Sequence, residues 1–144
     1  MKNSSLHLMS GVLLGLLLAG VIGCAHTPSA KPTLEGRWVG FDETHPEVQL
    51  TLQLTNGQFS YGIASEENEL GRGTYQVNGT VQPAEMDLRF ESSIASRYVG
   101  KAALAIYELN GNELRIAGCE PGNPDRPTNF VADESVRVFS WKRQ

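Results

Sequence analysis

At 144 residues, with 12 basic against 16 acidic side chains and a net charge of −4, the chain is about one domain long. Its surface repels a phosphate backbone, which argues against nucleic acid as a partner. Only two cysteines, Cys24 and Cys119, are present, with no CxxC or Cys/His cluster, so no structural zinc site is expected.

In chain order, Lys2 precedes a run without charge from Gly11 to Gly23, GVLLGLLLAGVIG. A short basic start followed by an apolar core of this length reads as a signal peptide, since a spanning helix needs about 20 apolar residues. The run ends Val21-Ile22-Gly23-Cys24, which resembles the bacterial lipobox. That resemblance implies cleavage before Cys24, a diacylglyceryl group on its sulfur and an acyl chain, such as palmitate, on the new amino group. Two or more buried chains make anchoring stable where one is marginal, at about 0.8 kcal/mol per methylene. Residues 1–23 are therefore expected to be a lipoprotein signal peptide, residues 24–32 a lipidated linker and residues 33–144 the folded domain. Losing Lys2 leaves 11 basic against 16 acidic side chains, a net charge of −5. With Cys24 lipidated, Cys119 has no partner within the chain, so no internal disulfide is expected. The linker AHTPSAKP carries two prolines and no apolar periodicity, which reads as extended chain. Lipoprotein sorting adds that Ala25, unlike an aspartate there, favours the outer membrane where two membranes exist.

From Leu34 onward the apolar period is two, broken by turn residues, which predicts consecutive antiparallel strands. The first, Leu34 to Phe41, sets Leu34, Gly36, Trp38 and Gly40 on one side. FDETHPE reads as a loop. Val48, Leu50, Leu52 and Leu54 then alternate with Gln49, Thr51 and Gln53, giving one buried and one wet face. Asn56-Gly57 is a tight-hairpin pair because both positions tolerate positive φ, and Phe59, Tyr61 and Ile63 return inward. The acidic run SEENE leads to Gly73, Tyr75 and Val77, Asn78-Gly79 turns, and Met86, Leu88 and Phe90 form the fifth inward face. Glu91 to Arg97 reads as a loop, Tyr98 to Leu109 as the longest strand, and Asn110-Gly111-Asn112 turns it into Glu113 to Ala117. Gly118 to Pro127 has three prolines and two glycines and reads as an irregular crossing. In the last strand, Ser135 to Trp141, Val136 and Val138 compete with Phe139 and Trp141 for the inward face. Eight short strands joined by local turns predict an all-β, eight-stranded antiparallel up-and-down barrel, with a β-sandwich as the alternative.

Two sets of residues carry a further resemblance. Gly36-Arg37-Trp38 resembles the Gly-x-Trp that opens lipocalin-type barrels, where the tryptophan plugs one end. AEMDL (Ala84–Leu88), AIYELNGNEL (Ala105–Leu114) and RPTNF (Arg126–Phe130) stand in the order of a small lipocalin-like domain repeated in planctomycetes and other bacteria. The resemblance covers Leu34 to Trp141, departs in the loop CEPGNPD, and implies a fold without an assigned activity.

No catalytic set emerges, and a non-enzyme is expected. Asp42, Glu43, His45 and Glu47 supply hard oxygen ligands and an imidazole in one short loop, yet read as a solvated acidic loop, so neither metal nor cofactor is expected. No nucleophile, base and orienting group stand together, and Glu85/Asp87 and Glu66/Glu67 read as wet faces. Tyr61, Tyr75 and Tyr107 are inward aromatics able to pack and to orient a ligand, and Arg126 is the cation expected beside the barrel mouth. A barrel of this size is either packed or holds one small ligand, and the packed case is expected. The functional reading is thus a membrane-anchored lipoprotein with a binding barrel, partnered by a small apolar ligand. Its alternatives are an interaction module for another envelope protein and an enzyme inhibitor.

Overall fold

A computed structural model describes residues 33–66 and 68–144. The expected signal peptide, Cys24 and the expected linker lie outside the described residues. The strands are β1 (Gly36–Asp42), β2 (His45–Thr55), β3 (Gln58–Ile63), β4 (Glu69–Asn78), β5 (Ala84–Ser93), β6 (Ala102–Asn110), β7 (Glu113–Cys119) and β8 (Val136–Arg143). Each pairs antiparallel with the next, and β1 also pairs with β8, so the sheet closes on itself in strict up-and-down order. Closure pairs every strand on both sides and leaves no edge to recruit another chain. This is the expected barrel and not the sandwich, because every connection joins spatial neighbours and β1 pairs with β8.

The inner face follows the period-two pattern. Trp38, Leu52 and Tyr61 are in register across β1, β2 and β3, as are Gly40, Leu50 and Ile63. Trp38, Leu54, Met86 and Leu114 are fully buried, and Phe59 and Phe90 meet edge to face at 5.1 Å. The hairpin at Asn56-Gly57 takes the anticipated positive φ at both positions, 51° and 74°. Gly40 meets a different demand. A Cβ there would strike the Ser140 carbonyl and the Trp141 ring, so only glycine lets β1 and β8 close with an indole lying between them.

Several boundaries differ from the sequence pattern, and β7 runs on through Gly118 and Cys119, which the pattern places in the crossing. FDETHPE is not a loop, because Phe41 and Asp42 finish β1, His45 starts β2, and Asp42 pairs with His45 across a two-residue turn. The Asp42 carboxylate accepts hydrogen bonds from the Thr44 backbone N–H and hydroxyl at 2.9 and 2.7 Å. That local bonding holds a turn in which no residue needs to be apolar. Strand β5 runs on to Ser93, whereas Tyr98 belongs to a 3-10 turn, Ser96–Tyr98, and β6 begins only at Ala102. The turn is held by Tyr98 N–H to Ala95 O and Val99 N–H to Ser96 O, and Gly100 reverses the chain at φ 79°.

Strand β8 is apolar on both faces, which resolves its ambiguous pattern. Phe139 and Trp141 face the interior core. Val138, with no exposed surface, forms a second cluster with Ile106 and Ala117, covered by Phe130, Ala132 and Val136. These three are cross-strand partners on the outer wall of β6, β7 and β8. The irregular crossing from Glu120 to Ser135 is the strap that covers them.

Candidate functional site

The two ends of the barrel are built differently. At one end Trp38 is fully buried, and its indole N–H donates to the Leu34 carbonyl at 3.0 Å. The Arg143 guanidinium lies over the Trp38 ring, 4.1 Å from its centroid, and donates to the carbonyls of Glu35 and Thr33. The Glu35 carboxylate accepts from the Tyr75 hydroxyl and from the Asn56 N–H, both at 2.8 Å. Burial, then the hydrogen bond to Glu35 and its charge, push the Tyr75 pKa up to about 12. The segment preceding β1 thereby seals this end with every named polar group paired.

The other end carries the β1–β2, β3–β4, β5–β6 and β7–β8 connections. There Val48, Tyr61, Ile63, Leu70, Tyr98 and Phe139 pack on the core and remain partly exposed. Tyr61 and Tyr98 both approach Phe90, with ring centroids 6.2 Å away. Burial, and secondarily Tyr98, raise the Tyr61 pKa. The rim is polar. Arg137 donates to the Asp42 carboxylate and the Thr44 hydroxyl, each at 2.7 Å. The Tyr98 hydroxyl and Arg97 both donate to Glu120, which lowers the Glu120 pKa. This clasp ties the β5–β6 connection to the strap. Beyond it, Ile94 and Val99 stand 73% and 48% exposed.

One residue of the interior is unlike the rest. Trp141 is only 6% exposed, lies near-parallel to Phe139 with centroids 6.0 Å apart, and stands one inward position below it on β8. Its indole N–H has no acceptor among the described residues. An unmade buried hydrogen bond costs about 1–3 kcal/mol. Sequence reasoning did not single out Trp141, although its alternation with Phe139 was the available signal.

The residues expected to form one site are distributed over three. Tyr61 is at the open mouth. Tyr75 belongs to the sealed end, and so does Tyr107, which lies close to Gly79 in the β4–β5 turn. Arg126 is not at the mouth but on the outer wall, donating to Asp87 at 2.6 Å and to the Ala105 carbonyl at 2.6 Å, with Glu85 at 3.6 Å. There it pins the strap across β5 and β6. Its sequence position within the long crossing did not reveal that the crossing runs along the wall.

The acidic loop residues converge only in part, with His45 Nδ1 3.9 Å from the Asp42 carboxylate and both beside Arg137. Asp42 faces Arg137, whereas Glu43 turns to Arg115 at 2.9 Å and accepts from the Ser140 hydroxyl. Among the described residues no group of three His, Cys, Asp or Glu side chains is placed to hold a metal. Cys119 is buried, and burial together with Asp125 and Asp133 raises its thiol pKa, which disfavours the reactive thiolate.

Two surface depressions, of about 630 and 130 Å³, are lined mainly by outward-facing positions such as Val39, Phe41, Ser140 and Lys142, and Thr51, Gln53 and Ser60. No helix among the described residues is long and apolar enough to cross a membrane. Comparison of the chain with protein-family models, with curated proteins and with solved structures found no match in any of the three.

Proposed function

We propose that this protein is a lipid-tethered, non-catalytic binding protein of the bacterial cell envelope, held at its sealed end and binding through its open end. The observation that carries this reading is the asymmetry between the ends: one has its polar groups paired over a buried tryptophan, whereas the other presents a partly exposed apolar lining inside a polar rim. Binding seats have that composition, an apolar lining with few polar groups. The lipobox resemblance at Val21–Cys24 supports the tether, Ala25 supports outer-membrane placement, and the closed barrel fits the lipocalin-like resemblance. Thr33 is bound at the sealed end by Arg143, so a tether through residues 24–32 pulls on that end. Eight residues from Ala25 to Pro32 reach at most about 29 Å, which would keep the domain near the bilayer.

A second reading, docking of another envelope protein, is favoured by Ile94 and Val99, whose exposure lies at the same end. Isolated apolar residues are ordinary on surfaces, so the mouth takes precedence. The test compares Ile63→Arg at the mouth with Val77→Arg near the sealed end, in full-length protein isolated from membranes into nanodiscs. Native mass spectrometry should show a retained small molecule in the parent and in the Val77 variant, lost only in the Ile63 variant. Equal retention or equal loss overturns the assignment to the open end.

A further inference from the structure

We propose that the larger depression, on the outer wall of β2, β1, β8 and β7, binds a short uncharged oligosaccharide. This site is separate from the open end and does not depend on that reading.

The depression holds about 630 Å³, the size of a small-ligand site. Its floor is β1, where Val39 and Phe41 face outward, and Pro46 adds a third apolar group. Phe41 is 38% exposed, and among the described residues it is the one Phe, Tyr or Trp side chain left more than a third exposed. Long polar side chains wall the floor on both sides, Gln49 from β2 and Glu113, Arg115 and Lys142 from β7 and β8. In register, Lys142 lies between Val39 and Glu113, and Ser140 lies between Phe41 and Arg115. Arg115 and Ser140 are engaged, since both donate to Glu43. The side chains of Gln49, Glu113 and Lys142 make no hydrogen bond or ion pair among the described residues, although Glu113 and Lys142 stand directly opposite each other.

The chemistry of this wall selects the ligand. Strands β1, β7 and β8 are paired on both sides, so an extended peptide finds no free edge to join, and recognition falls to side chains. An anion would meet one unengaged cation, Lys142, with Glu113 beside it, on a chain of net charge −4. A lipid tail would meet three outward apolar side chains and not a continuous apolar lining. A sugar ring fits what remains. Its face of C–H groups packs on an exposed aromatic ring, which is a large apolar surface with a negative face. Its hydroxyls both donate and accept, which matches an amide, a carboxylate and an ammonium around one floor.

The test uses full-length protein in nanodiscs, titrated with cellotriose, chitotriose and trigalacturonate and followed by saturation-transfer NMR, with empty nanodiscs as the control. At least one neutral trimer should bind saturably, and the anionic trimer should bind more weakly, as the net charge dictates. A preference for chitotriose assigns the site to amino-sugar strands, and a preference for cellotriose assigns it to plain hexose chains. Phe41→Leu, which keeps an apolar side chain and loses the ring, should weaken binding about three- to tenfold, whereas Phe41→Trp should keep it. Gln49→Ala should weaken it about threefold, the value of one hydrogen bond. Val77→Arg, near the sealed end, should leave it unchanged. Saturable binding of neither neutral trimer, tighter binding of the anionic one, or an affinity that survives both Phe41→Leu and Gln49→Ala overturns the proposal and leaves the open-end reading standing.

Discussion

The two tryptophans of this chain occupy the same inner surface and teach opposite lessons. Trp38 has its N–H on a carbonyl, its face under a guanidinium, and the segment preceding β1 wrapped across it. Trp141, two residues before the Arg143 that covers Trp38, is nearly as buried and has no acceptor among the described residues. Folded proteins pair buried polar groups, so Trp38 follows the rule and Trp141 departs from it. Departures of this kind concentrate where a protein interacts with something else.

The largest expected effect concerns the proposed lipid tether at the sealed end. Cys24→Ala should abolish incorporation of a palmitate analogue and release the protein from membranes. Label persisting on the variant would remove the reason for assigning the sealed end to the bilayer.

Next in size are effects on the core that both ends share. Leu50→Ala should destabilise by about 2–5 kcal/mol, as large-to-small changes in cores do, whereas its wet neighbour Gln49→Ala should stay within about 0.5 kcal/mol. Equal midpoints in denaturant titrations would show the register of β2 to be wrong.

The two tryptophans can then be set against each other directly. Trp38→Phe loses ring area and a made hydrogen bond, while Trp141→Phe loses ring area and an unmade one. The first should therefore be the more destabilising by about 1 kcal/mol, a typical net value for a hydrogen bond. A reversed order in the same titrations would mean that the Trp141 N–H is satisfied within the protein.

The smallest effect is alkaline and belongs to the sealed end. The Tyr75 pKa is raised from its ordinary 10.0 to about 12, so the folded state holds this proton more tightly than the unfolded one. Its contribution is complete below pH 10 and is lost as the pH climbs toward 12. Thermal melts across that window should fall for the parent and fall less for Tyr75→Phe. Parallel curves would detach Tyr75 from the seal.

Much of the fold was legible because a strand exposed on one face must alternate. Val48 to Leu54 shows this most plainly, and Asn56-Gly57 marked its turn through backbone sterics alone. The legibility failed where alternation failed. In β8, Val138 and Trp141 are both apolar and both buried, one under the strap and one inside the barrel, and a strand covered on both faces carries no period. Asp42 to Glu47 misled for the opposite reason. At a solvated strand end neither face needs an apolar residue, so pairing continues where the pattern has stopped.

The chemistry-bearing residues divide the same way. Local sequence determined the inward direction of Tyr61, Tyr75 and Tyr107, since direction follows from position along a strand, and it determined the motif at Cys24. It did not determine that Tyr61 stands at one end and Tyr75 and Tyr107 at the other, nor that Arg126 reaches Asp87 across 39 residues of chain. Closure of the barrel decided those. Which end a residue occupies depends on strand order and register around the whole sheet, and whether a donor such as the Trp141 N–H finds an acceptor depends on side chains brought from four or five strands at once. Neither is a property of any stretch short enough to read by pattern.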